Sequence, residues 1–379
     1  MKQVSAYLDH AATTPVRPEA AAAMLPWLTE RFGNPSGSHR VARAARLALD
    51  EARDSVAADL GMAPGGVIFT ASGTEADNLA ILGVVARRPG PVVTTAGEHH
   101  AVLHAAAAAG VEVRHVALGA DGTVDLEALA AALDPEVSVV SVMAVNNEVG
   151  SINPLDQVAA LAQRRAPHAV VHADAVQGVP WLDMQRWAPG VDLVSISAHK
   201  FGGPQGVGAL AARREVALAP IVHGGGQERD RRSGTHNVAG IVGLAAALRA
   251  TTEARGDEIG RITILRDRLV DGITGRVEGA VETTERATKV AGNGHVRFPG
   301  IEAEALLVLL DDAGVCASAG SSCASGAMES SHVLAAMGLV PADALASIRF
   351  SLGWTTTDQE VDEAIAAAAS GAARLAVPV

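Results

Sequence analysis

The sequence predicts an α/β protein whose main domain is a mostly parallel, seven-stranded sheet with helices on both faces. From residue 67 onward, short β-branched runs alternate with alanine-rich stretches of helical length, which is the pattern of βαβ units. The chain has 379 residues, more than the roughly 250–300 at which a single core stops growing. The pattern then changes after residue 255, which indicates a smaller α+β domain.

The elements of the main sheet follow from this alternation. Strands are predicted at 67–70, 91–95, 111–118, 137–145, 168–174, 191–197 and 206–212, with helices at 74–87, 99–109, 123–132 and 154–165. Only the residues 198–205 join the last two strands. Because a parallel pair needs a longer crossover, the last strand is predicted to run antiparallel.

The rest of the chain forms the second unit. Helical stretches are predicted near 237–254 and 256–275, then strands at 295–299 and 347–353 and helices near 302–312, 329–338 and 357–374. We therefore expect an N-terminal segment, 1–15, that packs with the small domain, a large domain of residues 16–255, and a small C-terminal domain of residues 256–379.

Composition excludes several classes of function. A formal net charge of −12 argues against nucleic acid or an anionic membrane as a partner, because both bind clustered Lys and Arg. The chain lacks a signal-peptide-like start and any run near ~18 apolar residues, so a cytoplasmic protein is expected. Cys316 and Cys323 are too few for a disulfide framework and lack zinc-ligand spacing, so no metal is expected.

Polar residues follow four of the predicted strands. Ligands of open α/β sheets bind beyond the carboxyl ends of the strands, so these residues form a candidate site. They are Ser72 to Thr74, His99, Asp174 to Gln177, and Ser197 to Lys200.

The helix start and its neighbours suit a phosphate group. Gly73 and Thr74 open a predicted helix, whose N-terminal N–H groups and dipole attract anions. Ser197 and His199 can add donors. Each residue alone is more often an ordinary cap or loop residue, but four strand ends of one sheet that carry suitable groups favour a site.

The remaining groups point to pyridoxal phosphate. Lys200 would form a Schiff base with the cofactor aldehyde and later move the Cα proton of an amino acid. Asp174 would keep the pyridine nitrogen protonated by charge pairing, so that the ring can accept electrons. His99 would stack on the ring.

Motifs along nearly the whole chain carry a family resemblance. They include "YLDHAATTP", "FGNPSGSHR", "SGTEADNLAI", "VNNEVG", "SAHKFGGPQGVG", "RRSGTHNVAGIVG", "SAGSSCASG" and "SIRFSLG". In these motifs the chain resembles the cysteine desulfurases of the NifS/IscS kind. These are pyridoxal-phosphate enzymes of fold type I in the class V aminotransferase group.

The resemblance implies further cofactor contacts. Asn147 and Gln177 would lie near the ring oxygen of the cofactor. Thr235 would reach the phosphate from a second subunit, which implies a homodimer. His99 would also handle protons.

The resemblance also implies the substrate, L-cysteine, and the residues that act on it. Arg349 would bind the substrate carboxylate through two parallel hydrogen bonds, and Asn34 would help to orient it. Cys323 would attack the substrate sulfur, release alanine and keep a persulfide for a sulfur-acceptor protein, either an iron–sulfur scaffold or a thiolation protein. Cys316 is expected in the core, on the strand before the Cys323 loop.

Two other functions are weighed against this one. A selenocysteine lyase or an aminotransferase on the same scaffold would need Lys200 and Asp174 but no attacking Cys323. A nucleotide-binding or non-enzymatic α/β protein has only the glycine cluster 224–226 in its favour, without the strand-to-helix glycine motif of a dinucleotide site.

Overall fold

The structure is a computed structural model that describes residues 4–187, 189–213, 216–319 and 330–376. The strands are β1 (Ala6–Tyr7), β2 (Val67–Thr70), β3 (Val92–Thr95), β4 (Val113–Val116), β5 (Val139–Ser141), β6 (Val170–Asp174), β7 (Leu193–Ser197), β8 (Gly208–Ala212), β9 (Val281–Glu282), β10 (Asn293–Arg297), β11 (Val315–Cys316) and β12 (Ser347–Ser351). The helices are α1 (Pro18–Thr29), α2 (Arg40–Leu60), α3 (Gly73–Val85), α4 (His100–Ala108), α5 (Leu126–Ala132), α6 (Leu155–Arg165), α7 (Val238–Thr274), α8 (Ala303–Asp312), α9 (His332–Ala336), α10 (Pro341–Leu345) and α11 (Asp358–Leu375).

The main sheet has seven strands in the order β2-β8-β7-β6-β5-β3-β4. Its neighbouring strands are parallel except at β8, which runs antiparallel to both β7 and β2. The predicted strand number and the antiparallel last strand are therefore confirmed. Because both faces of the sheet are covered, its inner strands are buried along their whole length and rich in Val, Ile, Leu and Ala.

Successive side chains on these strands pack against opposite helical layers, as the two-residue period of a strand requires. Val92 and Val170 belong to the apolar cluster that contains residues of α3 and α4. Val93 and Val171 belong to the cluster that contains residues of α2, α5, α6 and α7. The sheet is thus the middle of three layers, and its carboxyl edge stays open for a site.

The C-terminal elements form a separate apolar cluster around an antiparallel sheet of order β12-β10-β9. Residues 6–8 join it, since β1 pairs with β11 and Ala6 and Leu8 are fully buried there. Cys316 lies on β11, but the expectation that it is a core residue is wrong. It is half-buried and lies on a strand of only two residues, of which Val315 is the buried one.

One long helix replaces the two predicted at 237–254 and 256–275. α7 runs without interruption for 37 residues, through Gly256 and Gly260. A glycine inside a helix costs about 1 kcal/mol relative to alanine. The apolar clusters at both ends offset that cost, since Leu244 packs in the large-sheet cluster and Leu269 in the C-terminal one. The domain division at 15/16 and 255/256 stays a prediction.

Among the described helices, none combines the length and apolarity needed to cross a bilayer.

Candidate active site

A cavity of about 290 Å³ opens at the carboxyl edge of the main sheet. Its walls come from the strand ends, from the start of α3 and from the loop that follows β1. Ten of the residues named from the sequence line it: Gly73, Thr74, His99, Asn147, Asp174, Gln177, Ser197, His199, Lys200 and Arg349.

Lys200 ends a single 3₁₀ turn, 198–200, that directly follows β7. Its Nζ donates to the backbone oxygens of Ala11 at 2.5 Å and Ala12 at 2.8 Å. Burial, assisted by the nearby Arg349 guanidinium, lowers the pKa of Lys200 to about 8. A substantial fraction of this lysine is therefore the neutral amine near physiological pH, which is the form that attacks an aldehyde.

Asp174 is the last residue of β6 and is only 6% exposed. Its Oδ1 accepts a hydrogen bond from the Val176 amide at 2.8 Å. Burial raises the pKa of Asp174, while His99 and Lys200 act in the opposite direction. A buried carboxylate is stable only beside a positive group, and a protonated ring nitrogen would supply one here.

His99 caps α4 and thereby fixes its own tautomer. Its Nδ1 accepts from the Ala101 amide at 3.1 Å, so in the neutral ring the proton is on Nε2. Burial lowers the pKa of His99, which favours that neutral form. An uncharged imidazole with one defined N–H therefore lines the cavity.

The start of α3 forms a cradle that admits no side chain. A Cβ on Gly73 would lie 2.7 Å from Val176 Cγ2 and 3.2 Å from Ser197 Cβ. The Ser72 hydroxyl caps the helix by accepting from the Glu75 amide at 3.1 Å. The backbone N–H groups at the N-terminus of this 13-residue helix are suited to bind an anion.

His199 lies beside this cradle. Its Nδ1 lies 3.2 Å from the Thr13 hydroxyl, and burial lowers its pKa to about 4. It is therefore a neutral donor or acceptor. The cradle, the buried Asp174 carboxylate and the Lys200 amine are complementary to the phosphate, the ring nitrogen and the aldehyde of pyridoxal phosphate, so the residues present fit this cofactor.

Arg349 approaches from β12 and is 2% exposed. Its Nη1 donates to the Asn147 backbone oxygen and its Nη2 to Asp9 Oδ1, each at 2.8 Å. A guanidinium has five N–H donors, so others remain for an incoming carboxylate.

Three predicted residues are not brought to the cavity by the described chain. Neither Asn34 nor Thr235 belongs to its lining, and Asn34 instead accepts a hydrogen bond from the Ser36 amide at 3.0 Å. Cys323 lies outside the described residues. The described chain on either side reaches the site, because Ser318 exchanges two backbone hydrogen bonds with Arg349 and His332 lines the cavity.

Several buried polar residues at the site escaped the sequence analysis. His172 bridges the hydroxyls of Ser141 and Ser195, each at 2.9 Å, and burial lowers its pKa to about 3. Asp77 Oδ1 lies 3.6 Å from His172 Nε2, and burial together with Asp174 raises the pKa of Asp77. The signal was the strand period, since His172 stands two residues before Asp174 and so shares its face.

Glu98 is a second such residue, and it is fully buried. Its Oε1 accepts from the Met143 amide at 2.8 Å and the Thr95 hydroxyl at 2.9 Å. Burial raises the pKa of Glu98 to about 8, so it is mainly neutral at pH 7. Because Glu98 is mainly neutral, it adds no full negative charge to that of the nearby Asp174.

Comparison with known proteins decides the family. Residues 6–364 match the family Aminotransferase class-V. The chain belongs to this family. The resemblance seen in the motifs is thereby confirmed.

Relatives of this chain carry consistent names. The IscS-like cysteine desulfurase of Mycobacterium tuberculosis is 44% identical, covering 95% of this chain and 94% of the relative. The cysteine desulfurase of Cereibacter sphaeroides is 45% identical, covering 94% and 92%. A solved NifS-like protein has a TM-score of 0.90 at 35% identity, covering 97% of this chain and 98% of that one.

Proposed function

We propose that this member of the class-V family is a cysteine desulfurase that uses pyridoxal phosphate to convert L-cysteine to L-alanine. The observation that carries the proposal is the meeting of Lys200, Asp174 and Arg349 at one cavity. A perturbed amine, a buried carboxylate and a guanidinium are the groups needed for a cofactor aldehyde, a ring nitrogen and an amino-acid carboxylate. The names of the relatives specify the amino acid as cysteine.

The cofactor would be held by the groups that surround it. Gly73, Thr74, Ser197 and His199 would bind the phosphate, and Asp174 the ring nitrogen. Asn147 and Gln177 would lie near the ring oxygen. When bound, pyridoxal phosphate withdraws electrons from the substrate Cα and so weakens the bonds around it.

Three residues of the chain would bind the substrate and move its proton. Arg349 holds the substrate carboxylate and so fixes the direction of the Cα–H bond. Lys200 takes the proton from Cα, because its lowered pKa leaves part of it neutral. His99, with its proton on Nε2, offers one N–H to the ring or to the substrate.

Cys323 is proposed as the nucleophile that takes the sulfur. Its thiolate attacks the substrate sulfur, so that an S–S bond forms while the Cβ–S bond breaks. The electron pair of the broken bond stays with Cβ, which gains a proton, and alanine leaves. The persulfide then remains on Cys323 for an acceptor protein, an iron–sulfur scaffold or a thiolation protein.

A homodimer is proposed from the role that the family resemblance gives to Thr235. The family resemblance implies that Thr235 reaches the phosphate from a second subunit, and Thr235 lies outside the cavity lining formed by the described residues of this chain. A cytoplasmic location, and the absence of nucleic-acid and membrane partners, remain inferences from the chain's charge and hydropathy.

The direct test is product analysis with purified protein loaded with pyridoxal phosphate. L-cysteine and a reductant should yield alanine and sulfide in equal amounts, and Lys200→Ala should yield neither. 3-Mercaptopyruvate in place of alanine, formed only when a keto acid is supplied to accept the amino group, would show a transaminase instead. Activity with selenocysteine but not with cysteine would show a selenocysteine lyase.

A further inference from the structure

The loop that follows β1, residues 9–14, contacts several of the proposed site residues at once. The contacts are Asp9 with Arg349, Ala11 and Ala12 with Lys200, Ala11 with Gln177, and Thr13 with His199. Most of these use backbone or hydroxyl oxygens. Asp9 differs, because it places a carboxylate on the guanidinium that is proposed to bind the carboxylate of the substrate.

Arg349 is fixed from two sides by this arrangement. The Asn147 carbonyl holds Nη1, the Asp9 carboxylate holds Nη2, and the side chain is 3% exposed. Its Nε is buried and has no hydrogen-bond partner among the described residues. Leaving a buried donor unpaired is unfavourable. The bonds to Asn147 and Asp9 use two of the five N–H groups of the guanidinium. The three that remain, which include the Nε–H, are enough to bind a carboxylate through two hydrogen bonds.

Asp9 is itself held in place through the strand that carries Arg349. Its backbone forms a parallel bridge to Ser351, two residues along β12 from Arg349. The Ser351 amide donates to the Leu8 oxygen at 2.7 Å, and the His10 amide donates to the Ser351 oxygen at 3.2 Å. Asp9 and Arg349 therefore belong to one frame, so their distance does not depend on a flexible loop.

We propose that Asp9 is a positioning residue, which orients Arg349 so that its free N–H groups meet the α-carboxylate of the substrate. The inference rests on the proposed function, because it needs Arg349 to bind that carboxylate. Without Asp9, the guanidinium would be held on one side only. Binding would then have to order it, at a cost in affinity.

If Asp9 acted through its charge alone, its removal would be expected to raise the affinity for the substrate carboxylate. Removal of a negative charge beside Arg349 would strengthen its attraction for an anion. The direction of the change in affinity therefore separates positioning from simple electrostatics.

The experiment uses the cofactor-loaded protein and follows its visible absorption during titration with L-alanine and with L-alaninamide, which lacks the carboxylate. Asp9→Ala should weaken L-alanine binding about tenfold, as expected for loss of one charge-assisted contact. L-alaninamide binding should stay within about twofold, because that ligand does not use the carboxylate grip. In turnover of L-cysteine, KM should rise with L-alanine's dissociation constant while kcat stays within about threefold.

Matched variants sharpen the result. Asp9→Asn keeps an acceptor oxygen at the same place and should stay within about threefold of the wild type for L-alanine. Asp54→Ala removes a charge from the exposed face of α2 and should change neither ligand. Asp9→Ser is the second truncation if Asp9→Ala does not fold.

Three results would overturn the inference. They are an equal loss of affinity for both ligands, unchanged or tighter binding of L-alanine by the truncated variants, and an Asp9→Asn variant as weak as Asp9→Ala. A wild type that neither binds L-alanine nor forms it from L-cysteine would instead count against the proposed function.

Discussion

Lys200 owes its reactivity to burial, and this gives a pH prediction. Its pKa lies at about 8 instead of the ordinary 10.5, so the neutral amine becomes the main form above about pH 8. In protein stripped of its cofactor, the rate of pyridoxal phosphate capture should rise with pH through a midpoint near 8 and then level off. Stopped-flow absorption measures that rate. A midpoint near 10 would show that Lys200 is solvated as an ordinary lysine is.

Asp174 tests the role of a single buried charge. Asp174→Asn keeps the shape and removes the carboxylate, so cofactor should still bind while the ring loses its protonating partner. Turnover of L-cysteine should fall about 10²–10³-fold, the usual effect of removing one electrostatic stabiliser from an active site. Asp156→Asn, an exposed residue at the start of α6, is the matched control. A variant with near-wild-type turnover would show that Asp174 does not pair with the ring.

The start of α3 depends on the absence of a side chain at Gly73. Gly73→Ala places a Cβ 2.7 Å from Val176 Cγ2, so the helix start or the Val176 loop must shift. Such overpacking costs roughly 1–3 kcal/mol, and we expect at least about a tenfold loss of cofactor affinity. Gly256→Ala is the control, because a Cβ there meets nothing within 4 Å. If Gly73→Ala and Gly256→Ala bound the cofactor equally tightly in a titration, the proposed phosphate cradle at Gly73 would be contradicted.

At the scale of elements, strands and helices could be predicted from the sequence where short apolar runs alternate with stretches of helical length. The strand that ends at Asp174, VVHAD, and the strand before Lys200, LVSIS, are short and mostly apolar, so the sheet and its antiparallel last strand could be derived. The helices α1 and α2 were not assigned, because both precede the first predicted strand at 67–70 and so lie outside the alternation of strands and helices, and because Pro26 lies inside α1. The break predicted near residue 255 was wrong, because tertiary packing overrides the weak helix propensity of Gly256 and Gly260.

The candidate site was likewise predictable only in part from the sequence. Side chains at strand ends could be placed from their positions, and Asn147 and Arg349 needed the family resemblance. The carbonyls of Ala11 and Ala12, which hold Lys200, left no signal, because a backbone oxygen carries no residue identity. The pairing of Asp9 with Arg349 joins residues 340 positions apart and depends on how β1 and β12 meet.

At the scale of the whole molecule, a buried ion pair joins the residue that precedes α1 to the long helix α7. Arg17, before α1, donates from Nη2 to both oxygens of Glu258 at 2.9 Å, and its side chain is 7% exposed. Glu258→Ala should lower the free energy of unfolding by about 3 kcal/mol, because a buried guanidinium would lose its partner. Urea denaturation measures it. Asp50→Ala, which breaks the exposed pair of Arg46 and Asp50, should cost under about 1 kcal/mol. Equal losses would contradict the account.

Transfer of sulfur to Cys323 is the central claim, and mass spectrometry of the loaded protein after brief exposure to L-cysteine tests it most directly. Burial raises the pKa of the Cys316 thiol, so Cys316 stays protonated and unreactive near neutral pH. The account predicts one added sulfur on the peptide that contains Cys323 and none on the peptide that contains Cys316. It also predicts that Cys323→Ala binds cofactor normally but releases almost no alanine. Full conversion of cysteine to alanine by Cys323→Ala, or added sulfur on Cys316 alone, would contradict it.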